Sequence, residues 1–69
     1  MVEVFKTNVR SIRKAKLIIQ KLAEEFPAHK MNFDLSDCDR ILRVQGEDIL
    51  ESEIINIITA LNCKCEILE

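Results

Sequence analysis

The spacing of apolar residues along this chain switches between a period of two and a period near three and a half. Val2 and Val4 alternate with Glu3, which predicts a strand with both valines on its buried face. Thr7-Asn8-Val9-Arg10-Ser11 reads as a loop, in which Asn8 or Ser11 can cap a following helix by accepting backbone N–H bonds. Ile12, Ala15, Ile18, Ile19, Leu22 and Phe26 then recur at threes and fours, one helical stripe opposite Arg13, Lys14, Lys16, Gln20, Lys21 and Glu24. Pro27 ends that helix, because the residue before a proline is pushed out of helical geometry.

Period two returns at Met31, Phe33 and Leu35, which alternate with Asn32 and Asp34. Ser36-Asp37-Cys38-Asp39 is turn chemistry. Ile41 to Gln45 forms the next strand, stopped by Gly46, and the short connection makes the two strands an antiparallel hairpin. Glu51 or Ser52 opens a second helix with Glu53 in its first turn and a stripe of Ile54, Ile57, Ile58 and Leu61. Asn62 is where the chain leaves the helix left-handed, a conformation asparagine tolerates. Cys63 to Leu68 is the last strand. The order strand, helix, strand, strand, helix, strand predicts an α+β fold, a ferredoxin-like βαββαβ sandwich. Its antiparallel four-stranded sheet carries both helices on one face. The expected inward set is Val2, Val4, Met31, Phe33, Leu35, Leu42, Val44, Cys65 and Ile67, with Phe5 and Ile41 on the open face.

Sixty-nine residues make one domain, 1–69, near the small end of what folds unaided. A hydrophobic fraction of 48% is too high for intrinsic disorder. The net charge of −2 hides a division that matters more. Residues 1–30 hold seven bases and three acids, whereas residues 31–69 hold three bases and nine acids. Such polarity can steer a partner. The apolar stretch Ile54 to Leu61 is far too short to cross a bilayer. The start of the chain lacks a signal-peptide pattern, so the expected location is cytoplasmic. Three cysteines, Cys38, Cys63 and Cys65, argue against a disulfide framework.

These residues resemble the heavy-metal-associated domains of copper chaperones and metal-pumping ATPases. The resemblance runs through the first helix ending in Lys21-Leu22, then Phe33-Asp34-Leu35, Ile41-Leu42-Arg43-Val44-Gln45-Gly46, and Glu53-Ile54-Ile55 through Ala60-Leu61-Asn62. The family's Met-x-Cys-x-x-Cys motif binds a soft ion in the loop before the first helix. Here Lys6 stands at the Met position, Asn8 at the first Cys and Ser11 at the second, and Asn62 replaces the glycine usual after the second helix. An amide and a hydroxyl are not the soft ligands that select Cu(I), so the resemblance implies the fold with a degenerate metal loop and no cofactor. An alternative, atypical Cu(I) or Zn site uses Cys63 and Cys65, with His29 and Cys38 as remote candidates.

No catalytic constellation is visible. There is one His, and Gly46 is the sole glycine, so no phosphate loop exists. His29 and Cys63 are expected at opposite ends of the sheet. Nucleic acid is disfavoured by the acidic second half and by Phe5 as the lone aromatic expected on the open face. The expected role is a non-catalytic binding or adaptor module. Its interaction surface is Lys6, Asn8, Arg10, Ser11, Arg13 and Lys14, and its partner another protein with an acidic surface. The second and fourth strands are expected at the sheet edges, so the chain is a monomer or a weak homodimer.

Overall fold

The structure is a computed structural model that describes residues 1–68. Its elements are β1 (Val2–Thr7), α1 (Ile12–Glu25), β2 (Lys30–Asp34), β3 (Ile41–Gln45), α2 (Glu51–Ala60) and β4 (Cys65–Ile67). The strands form one antiparallel sheet in the order β2-β3-β1-β4. Ala15, Ile18 and Leu22 of α1, Ile54 and Ile58 of α2, and Phe5, Leu42 and Val44 of the sheet share one buried cluster. Among the described residues no helix is long and apolar enough to cross a membrane.

The helices end as their sequences dictate. Ser11 caps α1, its hydroxyl oxygen accepting the Lys14 N–H at 2.9 Å. Phe26, before Pro27, leaves helical geometry at φ −129 and ψ 68. Past α2, Asn62 takes φ 65, the left-handed exit expected of it.

The facing of β1 corrects the sequence expectation. Phe5 pairs with Leu42 and Glu3 with Val44, so Phe5 points into the core and is fully buried. Val2 and Val4 pair with Gln45 and Arg43 on the opposite, open face, where Val2 is 55% exposed. Val-Glu-Val-Phe carries apolar residues at both parities, and a one-residue shift turns every side chain over. Mid-strand, between Leu42 and Ile67, Phe5 removes more apolar surface from water than Val2 can at the strand's start.

The helix stripe is narrower than its spacing suggests. Ala15, Ile18 and Leu22 are buried, but Ile12, the first helical residue, is 67% exposed. Two loop residues, Val9 and Ile49, join the core instead. Ile41 does lie on the open side, paired with Asp34, yet is only 4% exposed and stands outside the core cluster. Ile67 lies on the helix side at the β4 edge and remains 38% exposed.

Phe5→Ala should lower the unfolding free energy by about 3–5 kcal/mol, whereas Val4→Ala should cost less than about 1 kcal/mol. Urea denaturation of both variants checks this. A larger loss for Val4→Ala than for Phe5→Ala would mean that β1 faces the other way.

Candidate functional site

β1 and β2 end, and β3 and β4 begin, at the same end of the sheet. Three loops therefore meet there: residues 8–11, 35–40 and 61–64. Thr7 joins the first two. Its N–H donates to the Asp39 carbonyl at 3.1 Å, and its hydroxyl donates to the Arg40 carbonyl at 2.6 Å. That hydroxyl also accepts the Val9 N–H at 3.2 Å, so Thr7, the one buried polar side chain among the described residues, both donates and accepts. Asn8 joins the third loop, its amide oxygen accepting the Lys64 N–H at 2.8 Å.

The loop of residues 35–40 is braced from within. Asp37 Oδ1 accepts the Asp39 N–H at 2.9 Å, and Arg40, at φ 48, donates from Nη1 to the Leu35 carbonyl at 2.6 Å. At its start the Ser36 hydroxyl donates to Asp34 at 2.6 Å and lowers that carboxyl's pKa, with the Arg43 guanidinium adding to the effect.

These bonds assign the expected interaction residues to different tasks. Asn8 and Ser11 hold the loop and the helix start. Lys6 faces Asp39 at 3.8 Å, an exposed pair that directs its charge toward the neighbouring loop. Arg10 and Arg13 are exposed, Lys14 is half-buried, and none of the three forms an ion pair with a described residue.

The cysteines divide as well. Cys65 faces Thr7 across the β1–β4 ladder and packs against the core. Burial, with the Glu66 carboxylate beside it, pushes its thiol up to about 11, which disfavours the thiolate a soft metal needs. Cys63 is half-buried, with its Sγ 3.7 Å from the Leu61 carbonyl oxygen. Cys38 is exposed in the loop of residues 35–40, at this same end of the sheet. Asp37, Cys38 and Asp39 bring one ligand atom each within 4.8 Å of one another, a grouping that joins the remote candidate Cys38 to two carboxylates expected only as turn residues. A contiguous Asp-Cys-Asp is its sequence signal. Its Asp39 carboxylate already faces Lys6.

His29 lies at the far end, its Nε2 2.9 Å from the Glu47 carbonyl oxygen and its ring edge-on to Phe26. It does not meet Cys63. Between Lys6, Asn8 and Lys64 there is only an open depression of about 190 Å³, smaller than the roughly 300 Å³ at which small-molecule pockets begin. The geometry at this end suits surface recognition.

The thiol at position 65 makes stability pH-dependent. Its pKa rises from 9.0 to about 11 on folding, so the folded chain holds this proton more tightly. The contribution is complete below pH 9 and is lost as pH climbs through about 11. Denaturation curves across that window should fall more steeply for the native chain than for Cys65→Ala. Asn8→Ala removes the bond to Lys64 and should cost about 1 kcal/mol, read as an equal shift in urea and thermal melts.

No family model matches this chain, and no curated protein or solved structure matches it either.

Proposed function

We propose that this chain is a small, non-catalytic binding module of ferredoxin-like topology, related to heavy-metal-associated domains. The loop that carries metal in those domains here serves as a rigid base for a basic docking face. The strand order β2-β3-β1-β4 and the Asn8 to Lys64 bond, which sets the first loop beside the last, support that kinship.

The observation that carries the function is a contrast between the two helices. The backbone dipole makes a helix N-terminus positive, so acids there stabilise and bases there cost stability. α2 follows this rule, with Glu51 and Glu53 in its first turn. α1 has no acid in its first turn; Arg13 and Lys14 stand there, with Arg10 just before. Bases and helix dipole thus add at one place, around the exposed Ile12. A concentration of positive charge held against local stability suits an acidic protein segment with an apolar residue for Ile12. Charge complementarity of this kind sets chiefly association rate and specificity.

Titration with a glutamate-rich peptide containing one leucine, followed by amide chemical shifts, tests this. Shifts should centre on residues 10–14 and weaken as salt is raised. Arg10→Glu with Arg13→Glu should reduce affinity about tenfold or more, in line with the cost of like-charge juxtaposition. Shifts spread over the sheet, or unchanged affinity in the double variant, would overturn the reading.

A further inference from the structure

β2 is an edge strand, paired with β3 alone. Edge strands are usually blunted by brevity, proline, bulges or charged side chains, lysine above all. β2 has five residues, Lys-Met-Asn-Phe-Asp, with no proline, and its pairing with β3 runs without interruption from Lys30 to Asp34. Its two charges have opposite sign and stand at opposite ends. Turned about Asn32, the strand meets itself in chemistry: Lys30 opposite Asp34, Met31 opposite Phe33, Asn32 opposite Asn32.

We infer that two copies of this chain pair antiparallel through β2, with a two-fold axis at Asn32, to form one continuous eight-stranded sheet. The register places two Lys30–Asp34 pairs on the open face and two Met31–Phe33 pairs on the helix side. Directly opposed pairs of both kinds stabilise a sheet. Met31 and Phe33 are only partly buried in the single chain, so each has apolar surface left to cover.

A second feature falls on the same edge. α1 packs against β2. One flank of α1 faces α2, where Lys21 and Glu25 line a groove with Ile57 and Leu61. At 3.6 residues per turn the opposite flank carries Ile19, Ala23 and Phe26, spaced at fours and threes. Ala23 is exposed, and Ile19 and Phe26 are partly so. With α2 on the other flank and β2 beneath α1, this apolar flank lies on the side of the β2 edge. The same axis sets α1 antiparallel to its copy.

The other edge is a poorer choice. β4 has three residues, and pairing it about its centre sets Glu66 against Glu66, an opposition of like charges that destabilises.

Sedimentation and native mass spectrometry across a concentration series test the inference. The native chain should give a dimer. Asn32→Glu sets two carboxylates face to face on the axis, and Lys30→Asp sets acids opposite Asp34. Each should weaken the dimer about tenfold or more without altering the circular dichroism of the folded chain. Lys30→Asp mixed with Asp34→Lys should form a heterodimer more readily than either forms a homodimer. A chain that stays monomeric to millimolar concentration overturns the proposal. So does a dimer that ignores both Asn32→Glu and Lys30→Asp.

Discussion

Burial of the Phe5 ring decides the facing of the whole sheet. Phe5 lies on β1, a central strand, opposite Leu42 on one side and Ile67 on the other. With its ring under the helices, parity places Thr7 and Glu3 on the same side and Val2, Val4 and Lys6 on the other. Every later feature inherits that choice. Thr7 turns inward and hydrogen-bonds Arg40 and Val9; Lys6 turns outward and meets Asp39; Cys65, paired with Thr7, rests against the core. The open face also loses the aromatic that base stacking would require, because Phe5 is fully buried.

The loop end of the sheet is then closed by bonds between residues far apart in sequence. Thr7 to Arg40 and Asn8 to Lys64 tie three loops into one surface. The first loop and its flanks hold hydrogen-bonding side chains, Thr7, Asn8 and Ser11, whose partners are backbone groups. A loop tied down in this way has less conformational freedom to give up on binding than a free one. The bases around Ile12 sit directly on it.

Much of this was legible along the chain because it depends on neighbours a few residues apart. Ser11 as cap, Pro27 as stop, Asn62 as left-handed exit and the β2–β3 hairpin are local chemistry, and each stands where the pattern put it. The β1 facing was not legible, because Val2, Val4 and Phe5 offer an apolar residue to either side and only packing across the sheet chooses. Val9 and Ile49 escaped because core residues in loops follow no period. The Lys6–Asp39 pair and the Thr7–Arg40 bond join positions more than thirty residues apart, which periodicity cannot report. At the site, sequence supplied the bases but not their division into Lys6, which is paired, and Arg10 and Arg13, which have no ion-pair partner among the described residues.

The docking face and the β2 edge bear on each other through α1. The helix puts Arg13 and Lys14 at its N-terminal end and an apolar flank along one side. The proposed antiparallel pairing about Asn32 would cover the flank of each copy, while the two basic N-termini would point to opposite ends of the dimer. Like charges are thus kept about a helix length apart, roughly 20 Å for fourteen residues, beyond the screening distance of about 8 Å at physiological salt. Two such faces on one rigid sheet would engage a partner with two acidic segments in a single assembly, and the second contact then forms at a high effective concentration. Dimerisation would therefore strengthen a docking face whose single contacts are exposed and individually weak.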